Sequence, residues 1–136
     1  MKEVAEAINV FLNSWDDTVE QNKYGFIRLK DMLLGKAGIH LEFYPRPGLT
    51  YSLRAAYAQQ SRPLLVMIDV IEDQPRWLSI CFFADMISDS EEKGAFVPGG
   101  LMGENALCFD LETCSEEALR YVEARIEEAY RAVTAG

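Results

Sequence analysis

Residues 64–84 read LLVMIDVIEDQPRWLSICFFA, and their pattern decides the fold. Two apolar runs, Leu64–Ile71 and Trp77–Ala84, flank the short connection Glu72–Arg76, which carries the turn formers Asp73 and Pro75. A connection this short joins antiparallel strands, because a parallel crossover needs a dozen residues or more. Both runs are apolar at nearly every position, with Asp69 the exception in the first, so each strand is expected to be covered on both faces and to lie centrally in a sheet.

Two further strands precede them. Ile39–Tyr44 sends Ile39, Leu41 and Phe43 to one face and His40, Glu42 and Tyr44 to the other. Leu49–Tyr57 alternates in the same way, and Pro47-Gly48 between the two suits the centre of a type II turn. Opposed residues must share a face, so the loop length is odd; Arg46–Gly48 or Pro45–Leu49 as the loop puts Leu41 opposite Leu53 and His40 opposite Arg54. Ile39–Tyr44 belongs nearer an edge of the sheet. Ala106–Leu111 reads as a fifth strand after the irregular stretch Ile87–Asn105, in which Asp89–Glu92 is expected to form one helical turn.

The flanks are helical. Val4, Ile8, Phe11, Leu12, Trp15 and Val19 recur at steps of three and four, which predicts an amphipathic helix from 3 to about 21. Asn22–Gly25 supply a break, and Phe26, Leu29 and Leu33 predict a second helix ending at Leu34; a strand from Phe26 to Met32 is the alternative. Thr113 and Glu116 have capping-box spacing ahead of a last helix striped by Leu119, Val122, Ile126, Ala129 and Val133. Helices, antiparallel strands and a helix define an α+β domain spanning 1–136: a two-layer sandwich in which a four- to five-stranded meander carries the N-terminal and C-terminal helices on one face. The other face of the central strands then needs a cover, either the Ile87–Asn105 stretch or a second copy of the chain.

The chain has 136 residues, 13 basic and 22 acidic, for a net charge of −9. That sign opposes binding to nucleic acid, which relies on Lys and Arg neutralising phosphates, and to anionic membranes. No apolar run approaches the roughly 18 residues of a membrane span, and the first residues lack a signal-peptide pattern. Cys81, Cys108 and Cys114 are an odd, widely spaced set, which predicts reduced thiols and a cytoplasmic location, with Cys81 a small core residue. The set matches no metal-ligand spacing, so neither a metal nor a cofactor is expected.

One polar grouping stands out on the first two strands: His40, Glu42, Tyr44 and Arg54, with Thr50 and Ser52 beside them. There Arg54 could hold an anion and His40 exchange protons, whereas the simpler reading is a solvated hairpin face with a cross-strand ion pair. Asp69 and Asp85 interrupt or close apolar strands and could act as an acid–base pair, although a lone Asp near a strand end more often takes a backbone or arginine partner. The glycines of 99–103 lack the Lys-Ser/Thr of a phosphate loop.

No catalytic set assembles from these residues. The reading is a protein- or peptide-binding domain without catalysis, homodimeric because of the doubly apolar centre of its sheet. Its small size, acidity and element order resemble acidic chaperones of secreted proteins, which implies a protein partner. The alternative is a binder of small anionic ligands, or a small enzyme, using the His40–Glu42–Arg54 face.

Overall fold

A computed structural model describes residues 2–59 and 62–135. Two helices, α1 (Lys2–Asn13) and α2 (Asn22–Leu34), lead into β1 (Ile39–Arg46), β2 (Thr50–Tyr57), β3 (Val66–Ile71) and β4 (Trp77–Phe83). After a 3-10 turn at Ala84–Met86 come β5 (Ala95–Leu101), β6 (Glu104–Leu111) and α3 (Glu116–Thr134). The six strands form one antiparallel sheet in the order β1-β2-β3-β4-β6-β5. β3 and β4 are central and β1 is an edge, as their apolar content requires.

The sheet has one strand more than the sequence suggests, and it is not a simple meander. β5 lies inside the stretch read as irregular. It pairs on one side only, with a register shift between Val97 and Leu101, and carries Pro98 and Gly99 where the ladder breaks. Proline and glycine of this kind are tolerated on edge strands but hide them from a reading based on alternation. Asp89–Glu92 is a single hydrogen-bonded turn, Glu92 N–H donating to Asp89 C=O at 2.9 Å, that does not continue as helix. Glu92 is left-handed (φ +53°), and the Asp89 carboxylate accepts from the backbone N–H groups of Lys93 (3.0 Å) and Gly94 (2.8 Å).

The β1–β2 turn falls where Pro47-Gly48 places it. Leu49 N–H donates to Arg46 C=O at 2.9 Å and Gly48 has φ +84°, a left-handed conformation that glycine supplies without strain. The loop is therefore Pro47–Leu49, and the register differs from expectation by one pair: Leu41 faces Ala55, His40 faces Ala56 and Glu42 faces Arg54. The parity argument holds; the position of the turn sets the rest.

The first helix is shorter than its apolar stripe implied. It ends at Asn13, Trp15 folds back into the core, and Val19 is 89% exposed. The break lies at Ser14–Gln21, and Asn22–Gly25 belong to α2, which settles residues 26–34 as helix. Gly25 sits inside α2 because a Cβ there would come 2.5 Å from Cys114 Sγ. The Asn22 side chain ties the start of α2 to two strand ends, donating to Arg76 C=O (2.8 Å) and Glu112 C=O (2.9 Å). α3 starts later than the capping box predicted: Ser115, not Thr113, caps it by accepting from Ala118 N–H at 3.1 Å.

All three helices pack on one face of the sheet. Phe11, Phe26, Leu29, Leu119, Val122 and Ile126 meet Leu41, Leu53, Ile68, Ile80 and Phe109 in one continuous core. Among the described residues the opposite face has a small satellite cluster at one end, where Leu64 and Leu101 close over Phe83 and Ala106 with Met86 of the 3-10 turn against them; none of α1–α3 contributes to it. Leu101 belongs to the stretch expected to cover this face, and it does so over that corner alone. No described helix is long and apolar enough to cross a membrane.

Candidate functional site

Strand alternation puts His40, Glu42, Tyr44, Ser52, Arg54, Met67, Asp69, Ile71, Ser79, Cys81, Cys108 and Asp110 on the helix-free face. Register arranges them in rows. Tyr44, Ser52, Asp69, Ser79 and Asp110 cross five strands in line; Glu42, Arg54, Met67, Cys81, Cys108 and Ala95 form the adjacent row.

The four residues singled out from sequence come together here, in an arrangement the cross-strand ion pair did not anticipate. Tyr44 O–H donates to Glu42 Oε1 at 2.7 Å, and His40 Nε2 lies 3.9 Å from Glu42 Oε2. That hydrogen bond is the main cause of the raised Tyr44 pKa. Glu42 is thus engaged along its own strand, although Arg54 is its cross-strand partner. The Arg54 guanidinium instead leans over the Tyr44 ring, 4.5 Å from its centroid, and donates from Nε to Ser52 Oγ at 3.3 Å.

Arg54 is therefore unusual in this chain. Five arginines are half-buried: Arg28, Arg54, Arg62, Arg76 and Arg125. Four have a carboxylate within 4 Å, namely Glu116 and Glu123 for Arg28, Asp85 and Glu104 for Arg62, Glu72 for Arg76 and Glu128 for Arg125. Arg54 has none among the described residues, in a chain with 22 carboxylates.

Asp69 is the complementary oddity. It sits half-buried on β3, one row from Arg54, and its Oδ1 is buried without a donor. Burial pushes its pKa up, while the Ser52 hydroxyl and the fields of Arg54 and Arg46 pull it down. Asp85 is not its acid–base partner. It follows β4 at the far end of the sheet and belongs to Arg62, whose guanidinium also holds Glu104 at 2.9 Å.

The cysteines correct the reading of reduced thiols. Cys81 and Cys108 are directly opposed on β4 and β6, their Cα atoms 4.1 Å apart, and form a disulfide. A gap of 27 residues in sequence conceals a pair that the β4–β6 register creates. The bond removes the ground for placing this chain in a reducing cytoplasm. Cys114 alone is free; it is buried and burial pushes its thiol up to about 12, so it is no nucleophile at neutral pH. Among the described residues no group of three or more His, Cys, Asp or Glu side chains is placed to hold a metal. Gly99 and Gly100 lie in the irregular part of β5, where Gly99 N–H donates to Asn105 Oδ1, and Gly103 closes the β5–β6 turn with Met102.

A second cluster escaped the sequence reading because three elements build it. The Arg76 guanidinium lies about 5 Å from the rings of Phe11 and Tyr51 and 5.8 Å from Trp15, and pairs with Glu72 at 2.9 Å. Tyr51 O–H donates to the same Glu72 carboxylate at 2.9 Å. Beside it runs an open groove of about 530 Å³ lined by Ala7, Val10, Phe11, Pro45, Pro47 and Tyr51. Every strong polar group at that groove already has a partner, so it lacks the convergent free donors and acceptors that fix a ligand.

The chain is an α+β sandwich that leaves one sheet face without helices. It matches no protein-family model, no curated protein and no solved structure.

Proposed function

We propose that this protein is a non-catalytic protein-binding domain that works as a homodimer through the helix-free face of its sheet. One observation carries the reading: a six-stranded sheet covered by helices on one side presents Ala56, Met67, Ile71 and Cys108 half-buried on the other, around an Arg54 with no carboxylate partner among the described residues. The edges of the sheet suit pairing less well. β1 carries Pro45 and charged side chains, and β5 is broken by Pro98 and its irregular register, which are the usual devices against edge-to-edge association.

Size permits a modest dimer. Six strands at ~4.8 Å spacing and seven residues at ~3.3 Å make a face of roughly 24 by 23 Å, or about 1,100 Å² over two copies, at the low end of specific interfaces. Light scattering coupled to size exclusion, run from roughly 1 to 100 μM for an interface of that class, should show a monomer passing to a dimer. A clean monomer throughout sinks the reading.

The unpaired Arg54 supports a second reading, a site for a small anion. Thermal-shift screening against anionic metabolites separates the two, because a ligand stabilises the folded state it binds. A stabilising anion whose effect vanishes in Arg54→Ala, on a chain that stays monomeric, establishes the second reading in place of the first.

A further inference from the structure

We infer that the occupant of the helix-free face is a second copy of this chain, set in register by two reciprocal contacts between Arg54 of one protomer and Asp69 of the other. The inference rests on the homodimer reading and specifies the contact that reading leaves open.

Within one protomer the two charges lie on neighbouring strands, a diagonal apart in the β2–β3 register, yet do not pair. Arg54 leans over the Tyr44 ring of β1 and donates to Ser52 Oγ on its own strand, without reaching a carboxylate on β3. Asp69 feels the Ser52 hydroxyl and the fields of Arg54 and Arg46 but has no guanidinium in contact, and its Oδ1 is buried without a donor. The protomer thus holds an unpaired half-buried cation and an undercompensated half-buried anion on the same uncovered surface. A two-fold axis lying in the interface midway between them places each against the other's counterpart, and the two contacts form together by symmetry. Glu42 is not the counterpart, because its carboxylate already accepts from Tyr44 and faces His40.

Arg54 and Asp69 lie on one surface, so that surface complements itself in a second copy. Each chain carries −9, so two copies repel at long range and associate only where local charge alternates. The row pair Glu42–Arg54 and Ser52–Asp69 supplies that alternation, with apolar Met67 and Ile71 alongside.

A double-mutant cycle on the dimer dissociation constant tests this, using Arg54→Gln and Asp69→Asn, which keep shape and remove charge. Circular dichroism and the thermal midpoint of each variant confirm folding. Each single change should weaken the dimer about tenfold, and the double variant should be no weaker than either single, because the coupled contact is already lost. The charge reversal Arg54→Asp with Asp69→Arg should recover a dimer that neither reversal alone allows. Independent, multiplying effects in the neutral cycle overturn the Arg54–Asp69 contact while leaving the homodimer standing. A wild-type chain that never dimerises overturns both. A small anion, with inorganic phosphate as the probe, that binds the monomer and is lost in Arg54→Gln also overturns the contact.

Discussion

Arg76 and Arg54 are both half-buried arginines beside aromatic rings, on opposite sides of the same sheet. Arg76, on the helix-covered side, is satisfied: Glu72 neutralises it, Tyr51 braces that carboxylate, and Phe11 and Trp15 pack around the guanidinium. Arg54, on the bare side, has one ring and one hydroxyl and no counter-ion among the described residues. A folded monomer completes the first arrangement with a counter-ion and leaves the second with only a ring and a hydroxyl. The difference marks which arginine serves the fold and which face is left for something outside it.

The largest expected effect separates the two faces by their packing. Phe26→Ala, deep in the covered core, should cost about 3–5 kcal/mol in denaturant unfolding, whereas Met67→Ala on the bare face should cost less than about 1.5 kcal/mol. Equal losses would mean that the bare face is a second core rather than a surface. Next comes the staple on that face. Removing the Cys81–Cys108 bond by reduction or by Cys81→Ala with Cys108→Ala should cost about 3.5 kcal/mol, the chain-entropy value for a 27-residue separation. Unfolding midpoints unchanged by a reductant would show that the bond contributes nothing to the fold.

The two arginines themselves give the third contrast. Arg76→Met should lower stability by about 2 kcal/mol, since it strands Glu72 and opens the aromatic cluster, while Arg54→Met should stay within about 0.5 kcal/mol in the monomer. Matched losses erase the distinction drawn above.

The smallest effect concerns Asp69. Its folded pKa is raised, chiefly by burial, so the protonated carboxyl favours folding at low pH and that contribution is lost as pH rises through the raised value. Asp69→Asn stays neutral, so at concentrations too low for dimers it should melt slightly above wild type at neutral pH, with the gap closing on acidification. A variant that melts lower at every pH would make Asp69 a structural residue of the monomer.

Much of this fold was legible because its signals are local. Unbroken apolar runs marked β3 and β4 as central, Pro47-Gly48 specified its turn, and the Leu119–Ala129 stripe located the buried side of α3. What escaped depends on neighbours far along the chain. β5 shows no alternation because its ladder is one-sided and broken at Pro98. The disulfide follows from a β4–β6 register that no residue near Cys81 announces. The polar grouping on β1 and β2 was visible as composition, yet its meaning changed once β3 set Asp69 beside it and left Arg54 without a carboxylate. Gly25 looked like a helix breaker and is a point of contact, since Cys114, with Leu119 beside it, fills the space a side chain would take.

The bond between Cys81 and Cys108 also makes a covalent ring of the backbone from β4 through β5 to β6. A protease that cuts the loop before β5, for instance after Lys93, opens that ring without releasing either part. The nicked protein would migrate as one chain on a non-reducing gel and fall into two only when reductant is added. A single band on a non-reducing gel is therefore no proof of an intact backbone in this molecule.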